Sequence, residues 1–222
     1  MTTAIAGRIE IVSDAICPWC WIGKAHLDGA LELLAAEGLA FGLGWLPFQL
    51  NPDMPEGGVD RRAYRTEKFG SWERSQQMDA QVADAGRVAG VEFRHDRMAR
   101  TPNTVEAHRL IRLAGVDGVQ HATMDRVFRA YFNEGQDIGD RAVLGALGRE
   151  AGMAAPTLEA FAAGDAARAE VVAESRALAQ AGINGVPSVL LDRHLLFSGA
   201  MPAERMADGI RRAVAILRDR AA

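Results

Sequence analysis

Hydrophobic positions change period twice along the chain, and those changes divide it into three stretches. Arg8 to Ser13 (RIEIVS) is rich in β-branched residues and partly alternating, which predicts a short buried strand. From Pro18 the period lengthens. Trp21, Ala25, Leu27, Leu31 and Leu34 form an apolar stripe that predicts a helix as far as Glu37, with Gly38 as its stop. Pro18 suits a first helical turn, where an N–H has no intrahelical acceptor. A second strand is predicted over Phe41 to Leu46, and Pro47 weakens its continuation through the interior of a sheet.

After the turn-rich run Asn51 to Asp60 the character changes. Helical periods cover 61–69, 72–89, 103–115, 119–133, 140–151 and 156–163, with glycine turns between them and almost no strand pattern. Asp140 and Thr101-Pro102-Asn103 are helix-start signals. The third stretch opens with a helix over Asp165 to Ala181. Gly182 to Pro187 then turns the chain, and Ser188 to Leu191 and Leu195 to Phe197 read as a hairpin about Arg193-His194. A last helix runs from Pro202 to about Arg218. A helix linking the first two strands implies a parallel pair, and the late hairpin an antiparallel one. One mixed sheet accounts for both. The fold class is therefore α/β, with residues 1–55 and 166–222 forming the sheet-bearing domain and 56–165 a large all-helical insertion.

Composition narrows the function classes. Lys and Arg number 25 against 29 Asp and Glu, and the basic residues are scattered, so no nucleic-acid-binding surface is expected. No apolar run approaches the roughly 20 residues that span a bilayer, so no membrane partner is expected. No basic segment leads into a long apolar one at the start of the sequence, and the expected compartment is the cytoplasm. In a reducing compartment cysteines serve reactive or metal-binding roles more often than structural bridges.

Both cysteines stand three positions apart, as Cys17-Pro18-Trp19-Cys20, where the predicted strand gives way to the predicted helix. That spacing lets the two sulfurs close a small disulfide ring. Cys17, at or just before the helix start, meets unpaired N–H groups and the positive end of the helix dipole, which favour thiolate over thiol. Cys20 lies one turn deeper and is the natural resolving thiol. The residues also allow an inert pair of core thiols or half of a metal site. The five histidines show no spacing that completes a tetrahedral set with the cysteines. Redox chemistry is the reading the spacing favours.

Several blocks, taken in order, resemble the FrnE-like branch of the DsbA thioredoxin-fold family. They are IVSDAICPWCWIGKAHL at Ile11 to Leu27, LPFQLNPD at Leu46 to Asp53, TPNTVEAHRL at Thr101 to Leu110, FRAYFNEGQDIGD at Phe128 to Asp140, GINGVPSVLLD at Gly182 to Asp192, and SGA at Ser198 to Ala200. The resemblance implies a thioredoxin-like domain interrupted by a helical insertion. It implies Cys17 as nucleophile, Cys20 as resolving thiol and Val186-Pro187 as the cis-proline loop beside the sulfurs. Without it, Pro187 reads as a proline opening a strand. The activity implied is thiol–disulfide exchange, as a reductase, oxidase or isomerase of protein or small-molecule disulfides. No bound cofactor is expected, with glutathione or another dithiol as redox partner, and a homodimer is compatible with the family.

Two departures from the family pattern stand out. Arg193 occupies a turn position often filled by glycine, and Trp19 replaces the histidine of strongly oxidising periplasmic relatives. A neighbouring branch, the kappa-class glutathione transferases and chromene-carboxylate isomerases, centres serine where this chain has Cys17. The alternative function is accordingly a glutathione-dependent transferase or isomerase of small molecules.

The remaining candidates are weaker. Trp19 and Phe48 are expected to offer apolar surface near the sulfurs, whereas Trp21 and Trp45 suit the core. Asn103 and Thr104 are expected either over the site or as caps of the helix they introduce, and His108 one turn further, in the cleft or packed. Asp14 reads as a local backbone cap, and Lys24 as reaching solvent.

Overall fold

The computed structural model describes residues 5–221. In chain order they form β1 (Ile5–Ser13), α1 (Pro18–Ala36), β2 (Ala40–Pro47), β3 (Val59–Asp60), α2 (Arg61–Phe69) and α3 (Trp72–Val88). A short 3-10 turn at His95–Arg97 leads to β4 (Arg100–Thr101), α4 (Val105–Ala114), α5 (Gln120–Phe132), α6 (Arg141–Glu150) and α7 (Ala155–Ala163). The chain ends with α8 (Arg168–Gln180), β5 (Ser188–Leu191), β6 (His194–Ser198) and α9 (Ala203–Ala221).

The main sheet has the order β2-β1-β5-β6. β1 pairs parallel with β2 and antiparallel with β5, and β5 with β6 forms the hairpin. Pro47 closes β2 at the edge of the sheet, where its missing N–H costs no ladder bond. Alternation along the two central strands sends side chains to both faces. Ile9, Ile11, Val189 and Leu191 join one core with Trp21 and Leu27 of α1 and Met206 and Ile210 of α9. Val12 and Leu190 point the other way, into a smaller cluster with Phe48, Ile183 and Leu178 of α8.

Helices α2 to α7 lie between β2 and β5, as a helical insertion within a mixed-sheet domain. The larger core is continuous across that junction. It runs from β1 and α1 into Leu110, Phe128, Phe132 and Leu144 of the insertion. Trp21 of α1 stacks with Phe132 at a centroid distance of 5.9 Å and meets Phe93 edge-on at 5.0 Å. The insertion is thus joined to the sheet domain by aromatic packing.

Three expectations need correction. The insertion contains a two-stranded ribbon, β3 with β4, in which Val59 pairs Thr101 and Asp60 pairs Arg100. Two-residue strands carry no periodicity, and their partners are far apart in sequence. The helix expected from Asp165 begins only at Arg168, after Ala167 in the left-handed region at φ 64°. Fully buried Arg109 holds that bend. Its Nε donates to Ala166 O at 2.8 Å and its Nη2 to Gly164 O at 2.5 Å. Lys24 does not reach solvent. It is buried, with Nζ 2.8 Å from Asp28 and 3.4 Å from Asp125, so its charge is compensated across α1 and α5.

Candidate active site

Cys17 is the N-cap of α1, with extended backbone (φ −89°, ψ 112°), and Pro18 fills the first turn. The Cys17 N–H donates to Asp14 O and the Cys20 N–H to Cys17 O, each at 3.0 Å, which fixes the bend that presents Cys17. No side chain caps the helix; Pro18 has no N–H to satisfy, and the Cys20 N–H is taken by Cys17 O. Cys17 is 5% exposed and Cys20 fully buried, and neither is bridged.

The two thiols are inequivalent. Burial pushes the Cys20 thiol well up, and the hydrogen bond and charge of Cys17 push it further. The nearby Ser13 side chain and the Asp14 backbone act in the opposite direction. Cys20 therefore stays protonated while Cys17 is free. When Cys17 enters a mixed disulfide, the charge and hydrogen bond that it contributed disappear, and Cys20 ionises more readily.

The opposite wall comes from the far end of the chain. The Val186–Pro187 peptide is cis, and the Cys17 thiol donates to Val186 O at a sulfur–oxygen distance of 3.6 Å. The loop is held from behind. Ser188 Oγ donates to Gly185 O at 2.8 Å, and the Gly199 N–H to Pro187 O at 2.7 Å. Gly23 of α1 lets Pro187 approach: a Cβ at residue 23 would lie 2.8 Å from Pro187 Cγ.

Cys17, Pro18, Trp19 and Val186 open onto a cavity of about 360 Å³. Its far walls belong to the insertion. Phe69, Met78, Val82, Met98 and Phe132 line it with apolar surface, and Arg61, Tyr64, Arg65 and Lys68 of α2 with polar ends. Trp19, 44% exposed, stands at the rim. Asp79 joins Arg61 at 2.6 Å and Arg65 at 2.7 Å, using one carboxylate oxygen for each.

The other residues singled out in the sequence lie elsewhere. Asn103 donates from Nδ2 to Met54 O at 2.7 Å and accepts from the Val105 N–H at 3.0 Å, so it ties down the start of α4. Thr104 is buried at the N-cap of α4 without a side-chain cap bond. Phe48 packs in the smaller core cluster. His108 is buried with its Nε2 3.2 Å from Asp14 Oδ1, while Asp14 Oδ2 accepts the Leu50 N–H at 2.8 Å. Asp14 is thus a buried tie between α4 and the segment after β2, beyond the local cap expected of it. None of these four residues lines the cavity beside Cys17.

The α2 wall went unread in the sequence, although a signal was present. Arg61, Arg65 and Lys68 recur at i, i+4 and i+7, which places them on one helix face. His95, from the 3-10 turn, completes this wall. Burial, reinforced by the Arg61 and Arg65 charges and opposed by Asp79, pushes its imidazole down to about 4. Above pH 6.5, the ordinary value, His95 is neutral in both folded and unfolded chains and adds no pH dependence. As pH falls from 6.5 to about 4, the unfolded chain takes up a proton that the native imidazole refuses, so stability declines by up to a few kcal/mol. Denaturant titrations above and within that window check this. His95→Gln is expected to flatten the decline, and an unchanged decline in the variant would count against it.

Among the described residues no three His, Cys, Asp or Glu side chains are grouped to hold a metal ion, and no helix is long and apolar enough to cross a membrane. The site's chemistry is that of its two sulfurs: a shielded but reachable thiol at a helix start, with a second thiol buried behind it.

Comparison with known proteins agrees with this geometry. An uncharacterized Bacillus subtilis protein, YwbO, is 30% identical over 146 residues, an alignment spanning 66% of this chain and 66% of YwbO's own length. The crystal structure of a probable DsbA oxidoreductase from Streptomyces coelicolor is 31% identical, with a TM-score of 0.82 over 93% of this chain and 89% of that one. The cytosolic disulfide reductase DsbM of Pseudomonas aeruginosa, solved with GSH, shares the fold at 22% identity and a TM-score of 0.60, covering 96% of this chain and 98% of that one. The DSBA-like thioredoxin domain matches residues 8–211, from within β1 into α9 and so across the dithiol turn and the insertion, and the chain belongs to that family.

Proposed function

We propose that this protein is a thiol–disulfide oxidoreductase of the FrnE-like branch, working in the cytoplasm chiefly as a reductase or isomerase. The observation that carries the reading is the pairing of Cys17, at the N-cap of α1 beside Val186 O, with a fully buried Cys20. The Cys17 thiolate attacks one sulfur of a substrate disulfide, forming a mixed disulfide and releasing the other sulfur as a thiolate. Cys20 loses its proton and attacks the Cys17 sulfur. The Cys17–Cys20 disulfide closes, the second substrate thiolate leaves, and the substrate has gained two electrons. Two equivalents of an external monothiol of the glutathione class, or one of a dithiol, then reduce the pair and are themselves oxidised to a disulfide. Trp19 in place of histidine supports the reducing direction, and the GSH found with the DsbM structure supports the class of reductant.

The cavity beside Cys17 favours a second reading, glutathione-dependent transfer or isomerisation of a small molecule, in which Cys20 is dispensable. One experiment separates the two. Reduced Cys20→Ser treated with glutathione disulfide is expected to accumulate one glutathione on Cys17 by intact mass. Wild type should instead close its own disulfide and release both glutathiones, and Cys17→Ser should do neither. An adduct on Cys17→Ser would overturn the nucleophile assignment. Full turnover of an electrophile by Cys20→Ser would move the second reading ahead.

A further inference from the structure

We propose that the cavity beside Cys17 selects disulfides of amphipathic organic acids, small molecules whose apolar body fills the cavity and which carry one carboxylate on each thiol half, that of the entering half seating against Arg65 and Lys68. The proposal rests on the reading of Cys17 as nucleophile and adds the substrate class.

The charge around the cavity is the first argument. The chain carries a net charge of −4, yet the cavity is lined by Arg61, Arg65 and Lys68 against one carboxylate, Asp79. Arg61 is 3% exposed and committed to Asp79. The charge within reach of a ligand is therefore that of Lys68 and the remaining N–H groups of Arg65. Lys68 Nζ has only neutral partners among the described residues, Tyr64 Oη at 2.8 Å and Asn51 Oδ1 at 3.2 Å. These acceptors orient the ammonium without neutralising it.

The apolar lining is the second argument. Phe69, Met78, Val82 and Met98 leave no room for a ligand charged along its length, because each extra anionic group would be desolvated without a partner. The volume, about 360 Å³, is at the small end for ligand sites, which favours a compact molecule over a folded protein's loop. The electron balance is unchanged: the acid's disulfide is cleaved to two thiols as the Cys17–Cys20 disulfide forms, and a dithiol reductant restores the pair.

The test compares two aryl disulfides with the reduced protein by stopped flow: dithiobis(nitrobenzoate), with a carboxylate on each ring, and dithiodipyridine, neutral at neutral pH. Each rate is divided by that of free glutathione with the same probe. The readout is the ratio of the two normalised rates. Lys68→Met with Arg65→Gln is expected to lower that ratio about tenfold, and Lys68→Met alone about threefold, the scale of partly exposed ion pairs. Added salt should narrow the wild-type ratio. Arg65→Gln leaves Asp79 paired with Arg61, and Lys68 is exposed, so at least the single Lys68 variant keeps its fold. Arg211→Gln, on α9 and paired with Glu37, is the remote control and should leave the ratio unchanged. A double-variant ratio within about twofold of wild type would overturn the substrate class. Failure of Cys17 to react with either probe would instead overturn the nucleophile assignment, and this proposal with it.

Discussion

Replacing Cys17 with serine is expected to lower disulfide reduction by about 10³-fold or more, a barrier increase of at least about 4 kcal/mol. The hydroxyl that replaces the thiol is not ionised at neutral pH, and without an adjacent base it is a weak nucleophile. The groups nearest residue 17 are the Asp14 carbonyl, the Val186 carbonyl and the protonated Cys20 thiol. None of them takes a proton from a hydroxyl. The substitution is small, so the fold should survive, and an unchanged thermal midpoint is the control. Cys20→Ser should behave differently, keeping the first attack and losing only release. Insulin reduction under excess glutathione reads both effects. If Cys17→Ser kept more than about a tenth of wild-type turnover, the sulfur at residue 17 would not be the attacking atom.

The second large effect concerns stability. Asp79→Ala is expected to cost about 3–5 kcal/mol, because it strands two guanidiniums that share one buried carboxylate. The side chains of Arg61 and Asp79 are 3% and 10% exposed, so water, reaching them only from the cavity side, replaces the lost carboxylate poorly. Arg61 and Arg65 would also repel one another. Denaturant unfolding should show the loss as a lower midpoint at constant slope. Replacing Arg61 by Met together with Asp79 by Leu should recover part of it, since the desolvation cost goes with the charges. A loss below about 1 kcal/mol for Asp79→Ala would place the pair in effective solvent instead.

Most of the secondary structure could be read in the sequence because its signals are local. The helices expected over 61–69, 72–89 and 140–151 appear as Arg61–Phe69, Trp72–Val88 and Arg141–Glu150. Asp140 caps the last of these, accepting from the Ala142 and Val143 N–H groups. Strand directions followed from connection lengths. What escaped depends on partners distant in sequence. The β3–β4 ribbon joins residues about forty apart, and the late start of α8 is set by Arg109 on α4, with three helices between them. The burial of Lys24 needs Asp125, which no local pattern supplies. In the site, the dithiol turn was legible from spacing, and its proline wall from a resemblance. The cationic wall was missed because the basic residues look scattered along the chain until α2 packs opposite Cys17.

The cavity draws its walls from separated stretches of one chain: the dithiol turn near the beginning, α2, α3 and Phe132 in the middle, and Gly185 and Val186 close to the end. Reactivity and discrimination therefore arise at different moments in the protein's making. A chain still being synthesised presents both thiols long before the residues that will shelter them exist. Whatever meets Cys17 in that interval is not screened by shape or charge. The continuous core between insertion and sheet ends this interval, since the packing that stabilises the fold is the packing that assembles the cavity walls.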